Sequence, residues 1–167
     1  MVLCGMFAAL VAIGAFIQIP VPYMDYFTLQ FFFVLLAGLI LGADKGAISV
    51  GCYVLLGLVG VPIFAAGGGI GYIFRPSFGY LVGFIVCEKL KASYKNYLLA
   101  CLAGFVVTYA IGIVYKFIIL NFYAHTPATL GVIFLSCFPL DMPGDFVLCL
   151  LAAGVGLRMR KSGFYLS

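Results

Sequence analysis

Apolar stretches alternate with short polar interruptions along nearly the whole chain, at 2–19, 27–41, 46–66, 78–87, 97–123 and 142–157. A helix needs about 20 apolar residues to cross a hydrocarbon layer about 30 Å thick, so this pattern predicts six helical crossings. A further run at 128–138 is too short to cross and suits an interfacial or re-entrant piece. The fourth run is also short, and only the glycine-rich segment before it lengthens it. Short or Gly/Pro-interrupted spans are the usual pointer to a binding site in a transporter.

That interruption reads Val61-Pro62-Ile63-Phe64-Ala65-Ala66-Gly67-Gly68-Gly69-Ile70-Gly71-Tyr72-Ile73-Phe74-Arg75-Pro76-Ser77-Phe78-Gly79-Tyr80. Glycine and proline break regular helix, and irregular backbone at membrane depth survives only where protein or a water-filled cavity satisfies its polar groups. The permanent cation of Arg75 is costly there unless something anionic offsets it.

Composition changes the picture by exclusion. Of 167 residues, 66% are hydrophobic and 8% charged, against about 25% charged in an ordinary soluble domain. The chain makes one membrane domain, with no room for a soluble catalytic one. Its net charge of +4 is scattered among apolar segments, which gives nucleic acid no basic face. Cys4, Cys52, Cys87, Cys101, Cys137 and Cys149 fall in or beside apolar runs without a CxxC or a ligand-spaced histidine. They read as small buried residues, and no metal or cofactor is expected. His125 stands alone in a loop, with no nucleophile and acid around it, so no enzyme activity is expected. Gly67-Gly68-Gly69 lacks the lysine and strand–helix context of a phosphate loop, and any ATP hydrolysis needs a separate subunit. The first run has neither a basic leader nor a cleavage site and reads as a span.

The basic residues set an orientation. Lys45, then Lys89, Lys91 and Lys95, then Arg158, Arg160 and Lys161 all fall on one face if there are six crossings. The positive-inside rule makes that face cytoplasmic, together with both termini. Asp25, His125 and Asp141 fall on the other face.

Helical rise then gives depths. Asp145 lies about 20 Å from the boundary marked by Arg158, Arg75 about 20 Å from Glu88 if the chain between is helical, and Lys116 about 31 Å from Lys95. All three cluster in the outer half, which defines a candidate site. Each has a plainer reading: Lys116 snorkels to the interface, Asp145 caps a helix after Pro143-Gly144, Arg75 sits on the outer surface. Thr108, Gly112 and Lys116 share a helix face, with Gly112 removing bulk beside the ammonium. Tyr72, Tyr80, Tyr109 and Asn121 offer further hydrogen bonds. Two cations and one carboxylate suit a small ligand with an acid at one end and amide-like N–H groups elsewhere. In span one, Gly5, Ala8, Ala12 and Ala15, with Ala9 beside them, form a small-residue stripe for internal packing or for a partner subunit.

The order of motifs resembles a known family. Ile19-Pro20-Val21-Pro22, Phe27-Thr28-Leu29-Gln30, Val34 to Gly42, Gly46-Ala47-Ile48-Ser49, Gly60-Val61-Pro62-Ile63-Phe64, Pro76-Ser77-Phe78-Gly79-Tyr80 and Pro143-Gly144-Asp145 resemble the BioY family. These are the biotin-binding S components of energy-coupling-factor (ECF) transporters. The resemblance implies an all-α integral membrane protein of the bacterial cell membrane that captures biotin from outside. It also implies association with a transmembrane coupling subunit and two ATP-binding-cassette ATPases. It points to Ala8 and Ala12 as the docking contact. The expected ligand-binding set is Asp145, Arg75, Lys116, Tyr80, Gly67, Gly68, Gly69, Tyr72, Gln30 and Asn121. Asp145 would accept from the ureido N–H groups, and the Gly67 to Tyr80 segment would close over the ligand. Some family members carry a lysine three residues after the aspartate, where this chain has Leu148. The valerate carboxylate therefore falls to Arg75 or Lys116. The alternatives are another vitamin or a stand-alone carrier.

Overall fold

A computed structural model describes residues 1–20, 26–91, 97–124, 126, 128–137 and 141–161. Asp25, Lys95 and His125 lie outside these residues, as do the side chains of Cys87, Glu88, Lys89, Lys91, Arg160 and Lys161. The elements run α1 (Val2–Phe16), β1 (Gln18–Pro20), β2 (Tyr26–Thr28), α2 (Gln30–Leu41), α3 (Ala43–Val59), a 3-10 turn (Ile70–Phe74), α4 (Phe78–Lys91), α5 (Tyr97–Ile118), α6 (Leu130–Cys137) and α7 (Asp141–Lys161). Helix α5 continues as a π-helical turn over Ile119–Tyr123. With that turn it forms a 27-residue apolar helix, whose most apolar 18-residue window has a mean hydropathy of 2.2. Residues Asp141–Met159 of α7 form a second helix long and apolar enough to cross a membrane.

Helix α2 is apolar on every side, and ten of its twelve residues are buried. Such a helix belongs at the centre, and α2 touches α1, α3, α4, α5 and α7. The α4–α5 pair is packed closely through glycines. A Cβ on Gly83 would lie 2.8 Å from Thr108 Cα, one on Gly79 would lie 2.3 Å from Tyr115 Cβ, and one on Gly112 would lie 2.6 Å from the Tyr80 ring. The space at Gly112 is thus filled by Tyr80 rather than left open beside Lys116. Outward-facing side chains are large and apolar, including Leu55, Val59, Val106, Phe122 and Leu135. So broad an apolar exterior fits contact with lipid and is foreign to a soluble monomer.

Several boundaries differ from the hydropathy pattern. Helix α3 stops at Val59 instead of reaching residue 66, because Gly60 takes φ 116° and closes it. Gly60 N donates to Gly57 O and Val61 N to Leu56 O, the paired bonds of a Schellman cap, and Pro62 follows. Residues 18–20 and 26–28 are extended: Gln18 pairs with Thr28, Ile19 with Phe27 and Pro20 with Tyr26 in an antiparallel ladder. The fold therefore carries a short hairpin that an all-helical reading omits. Helix α4 continues to Lys91, past residue 87.

The stripe on α1 also resolves differently. Ala8 is buried in the core beside Cys4 and Val11, and Ala12 is half-buried against the same cluster. Ala8 therefore packs against residues of its own chain. The outward small residues are Gly5, whose missing Cβ faces open space, and Ala9, which is exposed.

Candidate functional site

Three irregularities frame one cavity: the β1–β2 hairpin, the broken segment after α3, and the start of α7. Helix α2 opens at Gln30, pinned by a close approach of α1, since a Cβ on Gly14 would lie 2.9 Å from Gln30 Cα. The hairpin contributes Phe27 and Thr28, and α2 contributes Gln30 and Phe31. The segment after α3 contributes Ala65, Ala66, Tyr72 and Ser77, and α4 contributes Tyr80, Leu81 and Phe84. Across from these stand Tyr109 and Lys116 of α5, one helical face apart by seven residues, and Asp141 and Asp145 of α7, one turn apart. The space, including its open mouth, is about 800 Å³.

The wall chemistry is divided. Phe31 stacks on Phe84 at 5.6 Å, and Tyr80 meets Tyr109 edge-on at the same distance. These rings offer flat apolar surface to a ligand. The Tyr109 hydroxyl donates to Asp145 Oδ2 at 2.8 Å, fixing the carboxylate while leaving further lone pairs for a ligand. The Tyr80 hydroxyl lies 3.1 Å from Cys137 Sγ, tying α4 to the end of α6. Gln30 is 5% exposed, and its side chain lies beside the Tyr53 hydroxyl.

Of the expected set, the structure brings Asp145, Lys116, Tyr80, Tyr72 and Gln30 to this cavity. The others are placed elsewhere. Arg75 is exposed, with its guanidinium carbon 5.6 Å from the Tyr72 ring centroid, and it is not among the lining residues. Asn121 uses its amide on the backbone: Nδ2 donates to Phe117 O and Ala128 O, and Oδ1 accepts from Ala128 N. It therefore fastens the α5–α6 connection instead of facing the ligand space. Gly67, Gly68 and Gly69 are not lining residues either. Gly67 (φ 110°) exchanges both backbone bonds with Phe64, and Gly69 N donates to Gly57 O at 2.7 Å. A Cβ on Gly68 would lie 2.3 Å from Val61 O. The glycines fold the segment back onto α3, so Ala65 and Ala66 reach the cavity in their place.

Sequence reasoning did not assign Asp141, Phe31 or Phe84 to the site. Asp141 carried a signal, since it stands four residues before Asp145 and so shares its helix face. The two phenylalanines carried none, because chains rich in apolar aromatics place most of them in the core. Among the described residues, no group of three His, Cys, Asp or Glu side chains is arranged to hold a metal.

A mainly helical membrane domain with a partly enclosed cavity, aromatic walls and a few convergent polar groups defines a membrane-embedded small-molecule-binding protein. The chain matches the BioY family model over residues 1–163 and belongs to that family. A Thermotoga maritima protein named "Biotin transporter BioY" is 37% identical over 94% of this chain and 93% of its own. A Lysinibacillus sphaericus protein named "Probable biotin transporter BioY" is 37% identical over 96% of this chain and 86% of its own. The crystal structure of the S-component for biotin from an ECF-type ABC transporter superposes with a TM-score of 0.80, covering 96% of this chain and 89% of that one. At 24% identity this last likeness shows the shared fold.

Proposed function

We propose that this protein is the biotin-binding S component of an ECF-type uptake transporter. The observation that carries the reading is one cavity in which Asp145, Lys116 and an aromatic wall converge, in a chain of the BioY family. The ligand complements it: a bicyclic ring for Phe31, Phe84 and Tyr80, ureido N–H groups for Asp145, and an acid for Lys116. Lys116 is the cation for the carboxylate because it lines the cavity, whereas Arg75 lies outside it. A lysine in so apolar a setting is expensive unless paired, which gives a carboxylate ligand a large share of its affinity.

The chain crosses the bacterial cell membrane six times with both termini inside, and the cavity opens to the outer half. Import is driven by two ATPases through a coupling subunit, and this subunit itself hydrolyses no ATP. The coupling subunit docks on the outward stripe of α1 formed by Gly5 and Ala9 with the half-buried Ala12, where small side chains let another helix approach.

Calorimetric titration of the purified protein with a panel of vitamins tests the assignment. Biotin is expected to bind with affinity at least tenfold above any other vitamin. Asp145→Asn is expected to weaken biotin binding at least tenfold, about 1.4 kcal/mol or more. Unchanged affinity in a folded Asp145→Asn protein would leave Asp145 as a helix cap only.

A further inference from the structure

Three of the residues lining the cavity are charged: Asp141, Asp145 and Lys116. Asp141 and Asp145 stand one turn apart on α7, and the charge of Asp141 acts on Asp145. The polar lining around them is neutral: Thr28 of the hairpin, Gln30 of α2, Tyr72 and Ser77 after α3, Tyr80 of α4 and Tyr109 of α5. Cys137 of α6 lies against the Tyr80 hydroxyl, and Arg75 is exposed over the Tyr72 ring. Two carboxylates of the lining therefore face a single ammonium before any ligand arrives.

A ligand with its own acid changes that count. Three carboxylates then share one cation, in a space from which the ligand's ring has expelled water. Repulsion between like charges grows roughly fourfold as the dielectric falls from that of water to that of a protein surface. Carboxylates crowded in this way hold a proton among them instead of all ionising. The two aspartates are not equivalent places for it. Asp145 accepts the Tyr109 hydroxyl at Oδ2, 2.8 Å away, and its other lone pairs serve the ureido N–H groups, so its task needs the ionised form. Asp141 has no such task in the biotin reading. In the open, hydrated site it stands in the first turn of α7, where the helix end favours negative charge. Its proton is therefore gained when the ligand enters.

We infer that the site captures a proton together with its ligand: Asp141 takes one from the solution as biotin binds, while Asp145 stays ionised. One O–H bond forms on the Asp141 carboxylate, and the solvent buffer gives up the proton. The inference rests on the biotin reading and deepens it. The cargo becomes biotin plus a proton, which cancels the charge that the ligand's acid adds to a site inside a membrane.

Titration calorimetry of the purified full chain in phosphate and in Tris, whose ionisation enthalpies differ, counts the protons exchanged. At mildly alkaline pH the wild type is expected to take up about one proton per biotin. Because the bound state holds the extra proton, affinity is expected to fall as pH rises, approaching tenfold per pH unit. Asp141→Asn, neutral at every pH, is expected to take up no proton and to bind biotin equally across the same range. Asp141→Ser, also neutral and suited to a helix start, is expected to behave alike. Lys116→Gln is expected to weaken binding yet keep the uptake, because the carboxylates remain crowded. Absence of uptake in the wild type overturns the inference. So does uptake that persists in both Asp141 variants and disappears in Lys116→Gln, which places the proton on the ammonium. If the wild type binds no biotin at all, the biotin reading falls first and the inference with it.

Discussion

At the residue scale, the cavity separates two cations that sequence distance alone could not rank. Lys116 lines the cavity with Asp145, while Arg75 is exposed over the Tyr72 ring and does not line it. A charge acts on a ligand through the distance and dielectric between them, and an exposed guanidinium is screened by its surroundings. Lys116→Gln is therefore expected to weaken biotin at least tenfold and erase its preference over the neutral biotin amide. Arg75→Gln is expected to change biotin affinity less than threefold. Competition binding of acid and amide to both variants checks this, and the opposite pattern returns the carboxylate to Arg75. Asn121 offers a contrast. Three hydrogen bonds commit its amide to Phe117 and Ala128, so Asn121→Ala should lower thermal stability by about 1–3 kcal/mol and leave the affinity of the folded fraction nearly unchanged. Thermal unfolding and titration of the same sample separate the two effects.

At the element scale, the glycine-rich break is a built structure rather than a slack one. Phe64 is 1% exposed and packs edge-on to Tyr53 at 5.4 Å and against Tyr72 at 4.4 Å. A Cβ on Gly57 of α3 would lie 2.2 Å from its ring, so the ring sits directly on the helix backbone. Phe74 stacks on Tyr123 at 4.6 Å, and Tyr115 donates to Ile73 O, which ties the 3-10 turn to the end of α5. Gly57→Ala is expected to destabilise the fold by about 1–3 kcal/mol, because an overpacked rigid ring cannot move aside cheaply. A thermal melt at the wild-type temperature would show that the ring finds another seat. The sequence marked this segment as irregular, since proline and glycine oppose helix locally. It did not show that the glycines would serve close backbone approach to α3, leaving Ala65 and Ala66 at the cavity, because that depends on which way the chain turns after Pro62.

At the scale of the whole molecule, α1 has one face inside and one outside. Ala8 belongs to the first; Gly5 and Ala9 belong to the second. Ala9→Trp is expected to abolish co-purification with the coupling subunit while biotin binding in isolation stays within threefold of wild type. Ala8→Trp is expected to destabilise the fold instead, since no space exists for the ring. Pull-down and melting curves on both variants decide between the faces, and retained co-purification in Ala9→Trp would move docking elsewhere. A helical wheel places Ala8 and Ala9 only about 100° apart, so the stripe was legible but its inward edge was not.

Hydropathy by itself determined that this chain belongs in a membrane, because 66% apolar residues cannot be covered by so few polar ones in water. Local chemistry determined that the chain breaks after α3. The motif order determined the family. Tertiary structure alone decided which charged and polar groups meet. Lys116, Asp145 and Gln30 come from three helices, and their convergence depends on crossing angles and on glycine contacts such as those at Gly14, Gly83 and Gly112. Depth along a helix axis is one coordinate, and the direction a side chain faces is another. Depth counting alone could not show that Arg75 and Asn121 stay outside the cavity lining.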